Sequence, residues 1–454
     1  MTIASQSISY LNDVSNEAKK NRSYQSGGNS LFVNEKAYEI NLSDSEESKN
    51  AQLLSIPQAM FLMVNSTLGA GLLSFPIAYS YAGGAVQGLL LQAVFSLISC
   101  GSLTIIAYCR QLNDTKSYDE TVHVFCGPVM WIISQIFLII HSFGSDVTYL
   151  VIIGDQLTKI VAFTNTSDWY IDRKILMTLI ACVCILPLCI PKQLKILSYS
   201  SILGGFAAVF ISVTISSKFY SEKYTFIGSS SPYNWSNIQG ALPIICFGLQ
   251  CHIPSASVYG EVRQSNLKRC SMVNLLSSMI SFTVYAVAGY YGFMTFGYSV
   301  KSDILLNYDP RDVFATLARA FIVLIMITSF AIYLFVGRYA LMGLWGRFRR
   351  LTPAENHKPR RRVVVSVFWF FSSLGLALLF PNIGKALQFF GGVAAHFMFT
   401  FPGLFLIQGI LYFEQSQTTF KKFAFLTIGA FYVFFGVAIF SQSLCYAIMD
   451  ELSG

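Results

Sequence analysis

Apolar residues run along most of this chain in long stretches that are hydrophobic all round, separated by short polar loops. The stretches lie at about 54 to 81, 86 to 109, 129 to 158, 175 to 191, 195 to 217, 238 to 260, 271 to 297, 313 to 337, 363 to 380, 385 to 412 and 423 to 447. About 20 apolar residues cross the hydrocarbon of a bilayer, so this pattern predicts eleven membrane helices and an all-α integral membrane protein. Residues 1–50 break the pattern: they are polar and small, with no apolar period, and read as a disordered tail ahead of a membrane body at 51–454. Composition agrees, with 54% hydrophobic and 12% charged residues against roughly 25% charged in soluble domains. That excludes an ordinary soluble protein, and the lipid bilayer becomes the first partner.

Charge orients the helices. The tail carries net −2 and the rest +10. Alternating the loops puts 22 of the 31 Lys and Arg on the side of the N-terminus and 8 on the other, with Arg319 inside a span. Positive charge collects on the cytoplasmic side, so the N-terminus is expected there and the C-terminus on the lumenal or extracellular side. Sequons at Asn165 and Asn234 fall on the lumenal side of this map, although matching triplets at Asn21, Asn41 and Asn113 do not. No cleaved signal peptide is visible, and the ten cysteines, all in or near spans, predict no disulfide. No nucleotide, zinc or thiol-redox motif suggests an enzyme, a cofactor or a nucleic-acid partner.

Two spans violate the apolar rule. Residues 65–76 place Asn65, Ser66, Thr67, Gly69, Gly71 and Pro76 in mid-membrane, and residues 243–254 place Pro243, Gly248, Gln250, His252 and Pro254 in the sixth span. Freed backbone groups at that depth are tolerated where they line a cavity. Five spans separate the interruptions, an odd number, so spans one to five and six to ten run in opposite senses. That is the layout of a five-plus-five inverted repeat with discontinuous first and sixth helices, plus one extra helix, in which substrate and ion bind at the midplane. Proline-kinked packing helices with small contact residues are the bland reading of the same positions.

The stretch 65–76 with Ala82, Gly83 and Gly84, the segment Ile153, Gly154, Asp155 and Gln156, and the run from Pro243 to His252 resemble the amino acid/auxin permease superfamily. Within it they are similar to the sodium-coupled neutral amino acid transporters. The eighth span, with Arg319, Thr328, Ser329 and Arg338, resembles the lysosomal glutamine- and asparagine-transporting type. The resemblance runs from about residue 52 to the end. It implies alternating-access transport of a small neutral amino acid, coupled to sodium or protons, in a lysosomal or vacuolar membrane ahead of the plasma membrane.

It also implies site residues. Asn65 and Thr328 match the family's sodium-linked asparagine and threonine, and Ser329 adds a second hydroxyl. Hard oxygen donors suit sodium, though a hydroxyl pair bonded back onto its own helix is the alternative for Thr328 and Ser329. For a zwitterion, amides around Gly69, Ala70 and Gly71 supply donors to the carboxylate. Ser66, Thr67 and loosened carbonyls near Cys246, Phe247 and Gly248 supply acceptors to the ammonium group, and Gln250 is placed to read a side-chain amide. Some relatives carry a hydroxyl where Ala70 stands, which leaves the backbone as the carboxylate's partner here. Among titratable residues, Asp155 and Lys159 are spaced to pair on one helix face, and Arg319 to anchor by snorkelling. Asp146 and His252 are the proton-sensitive candidates. A nutrient sensor signalling to a partner through the tail and the basic loop at 347–362 is the competing function; that basic cluster also suits anionic lipid.

Overall fold

The computed structural model describes residues 54–163, 172–190, 200–220, 235–263, 265–350, 358–379, 383–413 and 419–453. The tail, the sequons at Asn165 and Asn234, and residues 351–357 of the basic loop lie outside them. All described elements are helices. Their order is α1 Ile56–Thr67, α2 Gly71–Tyr81, α3 Ala85–Asn113, α4 Tyr118–Ala162, α5 Arg173–Ile180, α6 Ser200–Phe219, α7 Trp235–Leu249 and α8 His252–Glu261. There follow α9 Leu267–Phe296, α10 Val313–Phe348, α11 Pro359–Leu379, α12 Ile383–Ala395, α13 Phe401–Gln408 and α14 Thr419–Ser453.

Eight helical stretches are long and apolar enough to cross a bilayer, and the bent pair α1 and α2 makes nine. The expected eleven is therefore not reached by length and composition among the described residues. The fourth expected span is α5 followed by a π-helical turn, Ala181–Ile185, and the short Leu186–Cys189. The fifth is represented by α6, whose apolar part Gly204–Phe219 is short. Large apolar side chains such as Leu97, Val129, Phe368, Leu379 and Phe434 point outward, as they must where the surrounding solvent is lipid.

The third span starts where it is expected, although a helix precedes it. Helical hydrogen bonding runs on from Tyr118, but Gly127 has φ 79° and ψ −179°, a conformation that favours glycine, and the following Pro128 donates no N–H. The chain turns there, so Tyr118 to Cys126 form a separate short helix. Asp119 on that helix accepts from Trp131 Nε1 at 2.6 Å and from Gln135, tying the two segments together.

α4 and α10 form the most extensive helix pair, and α9 packs on α1, α2, α3 and α6. One end of the bundle gathers charge. Lys218 at the end of α6 pairs with Asp312, the N-cap of α10, at 2.5 Å. Asp155 pairs with Arg173 rather than with the expected Lys159. Arg319 does not snorkel. It is fully buried, and its guanidinium donates to the carbonyls of Leu305 (3.0 Å), Tyr308 (2.9 Å) and Asp309, holding the 3-10 turn Ile304–Asn307 against α10. The carbonyls replace the water that burial takes from the guanidinium. Asp303, also buried, caps that turn through Leu305 N–H at 2.9 Å and accepts from Gln156 of α4. Burial, then the nearby Asp155 carboxyl, push its carboxyl up to about 7; the two hydrogen bonds and Arg319 act the other way.

Candidate functional site

Both interruptions are real, and both are shorter than the sequence suggests. α1 ends at Thr67 and α2 begins at Gly71, with the axis bent by 61° across residues 68–70. In the sixth span only Gln250 and Cys251 leave the helix. Pro76 lies inside α2 and Pro243 inside α7, so neither proline makes a break.

The two breaks touch. A Cβ on Gly71 would lie 2.6 Å from the Cα of Gly248, and one on Gly248 would lie 2.5 Å from the Phe75 ring. Backbone this close leaves no room for any side chain, which is why glycine stands at both positions. α2 packs on both α7 and α9.

From α9, Tyr285 reaches into the junction. Its hydroxyl lies 2.6 Å from the carbonyl oxygen of Thr67 and 2.9 Å from that of Gly248, donating its single hydrogen to the pair, and it accepts from Gly69 N–H. One side chain thus serves the freed carbonyls of both breaks. Its ring stacks on Phe75 with centroids 4.2 Å apart and planes 9° from parallel. Nothing in the local sequence separates this tyrosine from the chain's 23 others, and the signal that could have found it is distributed: a hydroxyl at the depth of two opposed breaks.

The other expected substrate residues surround this junction. Ser66 Oγ donates to Leu62 O and Thr67 Oγ1 to Met63 O, both at 2.8 Å. With their hydrogens turned back along α1, both hydroxyls present lone pairs outward, the polarity an ammonium group requires. Leu72 N–H and Leu73 N–H bond to Gly69 O and Ala70 O. The N–H groups of Ala70 and Gly71 head α2, where a helix has no internal partners and its dipole favours an anion. A Cβ at Gly69 would meet nothing within 4 Å, so open space adjoins the break. Cys246, Phe247 and Gly248 are buried in the last turn of α7, and Gln250 is buried with its Nε2 unpartnered. His141 of α4 stands close by, its ring 6.0 Å from Phe247 and 5.8 Å from Tyr333. Tyr149 and Tyr333 meet edge to face at 5.5 Å.

The expected sodium set is not drawn together by any described contact. Asn65 Oδ1 faces α6, where it would collide with a Cβ on Gly204. Thr328 Oγ1 donates back to Ile325 O at 2.9 Å, the hydroxyl geometry that bends a helix, with its lone pairs left free. Ser329 is half-buried beside it. α6 packs against both α1 and α10.

The proton-sensitive candidates also lie apart. His252 opens α8, fully buried, with Nε2 2.8 Å from Ser102 Oγ of α3. Asp146 is fully buried between α4 and α11, where Oδ2 accepts from Trp369 Nε1 at 2.8 Å and Oδ1 has no partner.

Comparison with known proteins adds a family and its relatives. The family described as "Transmembrane amino acid transporter protein" matches residues 53–448. The sodium-coupled neutral amino acid transporter 7 of Mus musculus is 37% identical over 406 residues, 87% of this chain and 88% of that protein. The human protein of the same name is 36% identical with the same coverage of both. Solute carrier family 38 member 8 of Homo sapiens is 32% identical over 372 residues, 79% of this chain and 86% of that one.

Proposed function

The chain belongs to the transmembrane amino acid transporter family, and from that premise we propose that it moves a small neutral amino acid of the glutamine and asparagine kind by alternating access, coupled to sodium. The observation that carries the site is the contact of Gly71 with Gly248 under the Tyr285 hydroxyl. It brings a helix N-terminus and two helix C-termini to one point, the arrangement that suits a zwitterion. The carboxylate meets Ala70 and Gly71 N–H. The ammonium group meets the lone pairs of Ser66 and the loosened carbonyls near Cys246, Phe247 and Gly248, and the Gln250 amide, its Nε2 unpartnered, reads the substrate's own amide. Asn65, Thr328 and Ser329 contribute oxygens to sodium.

The names of the relatives support neutral amino acids and sodium coupling. A lysosomal or vacuolar membrane, with the N-terminus in the cytoplasm, completes the reading. Its test is purified protein in sealed liposomes given labelled glutamine and an imposed sodium gradient. Accumulation that disappears when choline replaces sodium is the expected result. Binding without accumulation at any pH refutes transport, and accumulation that follows a pH gradient in choline replaces sodium with the proton.

A further inference from the structure

Behind the breaks, on the side of α3 and α9, lies a small cavity of about 10 Å³, space for the centre of one water-sized sphere. Six hydroxyl side chains line it: Thr67, Ser96, Ser99, Ser277, Ser278 and Ser281. Ser96 and Ser99 are three apart on α3, and Ser277 and Ser281 four apart on α9, so each pair shares one helix face. Leu249 and Cys251, either side of the second break, close it.

Two facts show that this is more than a stripe of small residues. The Oγ atoms of Ser96 and Ser281 are buried without a hydrogen-bond partner, at 9% and 1% residue exposure. A buried hydroxyl in that state is destabilising, and an occupant accepting or donating there offsets the loss. The lining also has a sign. Thr67 and Ser277 donate their hydrogens to Met63 O and Asn274 O, leaving lone pairs for the cavity. α1 ends at Thr67 and α7 at Leu249, so the carbonyl ends of two helices face this region, with the N-terminal ends of α2 and α8 across the two breaks. No Lys, Arg or His side chain lines the space.

We propose that this cavity is a second monovalent-cation site, which takes a dehydrated sodium ion on neutral hydroxyl oxygens. Oxygen-only, uncharged donors suit a hard cation of low charge. The site is separate from Asn65, Thr328 and Ser329. Asn65 and Thr67 are two residues apart on α1 and therefore point to nearly opposite faces of that helix, Asn65 towards α6 and Thr67 towards this cavity. An ion here sits directly against the first break, one helical turn of α9 from Tyr285, and so is placed to report on the packing of the junction.

The inference does not depend on the cargo, because it concerns equilibrium binding of sodium alone. The experiment measures binding of radiolabelled sodium to purified full-length protein in detergent, with unlabelled sodium or choline as competitor. It compares wild type, Thr328→Ala, and Thr328→Ala carrying either Ser281→Ala or Ser96→Ala, each checked for a monodisperse fold. Thr328→Ala is expected to keep one class of site that sodium, but not choline, displaces, and each serine substitution to weaken it roughly tenfold or more. Two results overturn the proposal: no sodium binding in Thr328→Ala, or unchanged binding in the folded serine variants, which would leave the cavity to water. The two serines lie on different helices, so either variant alone decides if the other does not fold. Sodium binding without glutamine accumulation in liposomes would sink the proposed transport and leave this site standing.

Discussion

Replacing Tyr285 with Phe tests the junction more directly than any change at the breaks themselves. The substitution keeps the ring and its stack on Phe75 at 4.2 Å and removes one oxygen. That oxygen serves Thr67 O at 2.6 Å, Gly248 O at 2.9 Å and Gly69 N–H. Stranding a buried polar group costs about 1 to 3 kcal/mol. The hydroxyl has a single hydrogen for two carbonyls, so the loss is less than the full sum, about 2 to 4 kcal/mol. If half of that falls on the conformation that binds substrate, glutamine affinity drops about tenfold, since about 1.4 kcal/mol is one decade. The assay is sodium-driven glutamine uptake in proteoliposomes across a range of substrate concentrations, beside thermal unfolding of the purified protein. The expected pattern is a raised KM with a lowered unfolding midpoint. Wild-type KM together with a wild-type midpoint would refute the idea that this hydroxyl holds the two breaks in register.

Gly71→Ala puts a Cβ 2.6 Å from the Gly248 backbone, which has nowhere to retreat, so uptake should be lost in protein that still purifies. Gly375→Ala, with nothing within 4 Å, should transport normally in the same assay. Asp303, raised from 3.8 to about 7, makes stability fall with rising pH. The unfolded carboxyl ionises near 4 while the folded one stays neutral until about 7, a penalty that grows across that window to roughly 4 kcal/mol. Unfolding midpoints measured from pH 4.5 to 8 should decline in wild type and flatten in Asp303→Asn; parallel curves would refute the assignment. Trp369→Phe removes the donor at 2.8 Å from Asp146 and should cost about 1 to 3 kcal/mol. Adding Asp146→Asn should then cost less than it does alone, a coupling that a double-mutant cycle on unfolding free energy reads directly.

The long spans were legible because lipid demands it: a helix surrounded by hydrocarbon must be apolar on every side, so α3, α9, α10 and α14 stand out in the sequence. The breaks were legible for the converse reason. Their exact positions were not, because proline and glycine read alike as helix breakers. Pro76 and Pro243 sit inside helices, and two other prolines follow π-helical turns: Pro187 comes after Ala181–Ile185, and Pro402 after His396–Thr400. A wide turn just before a proline relieves its clash with the preceding carbonyls. Glycine acts differently, by letting two backbones meet, and only Gly69, Gly71 and Gly248 mark where the chain opens.

The partners that complete the site were illegible for a physical reason as well. Asn65, Ser66 and Thr67 are consecutive, yet helical geometry sends Asn65 to Gly204 on α6 and Thr67 to the serines of α3 and α9. A sequence shows that polar groups share a depth; the turn of about 100° per residue decides which of them share a neighbour. Tyr285 and Arg319 make the same point from the other direction. Each has the amphipathic side chain suited to an interface, and each is spent inside, on carbonyls released where a helix stops: Thr67 O and Gly248 O for the tyrosine, Leu305 O and Tyr308 O for the arginine. In a chain with so few charges, the backbone at helix ends is the main source of electrostatic complementarity. The residues that matter are therefore those placed to answer an open carbonyl or N–H, and they come from elements far away in sequence.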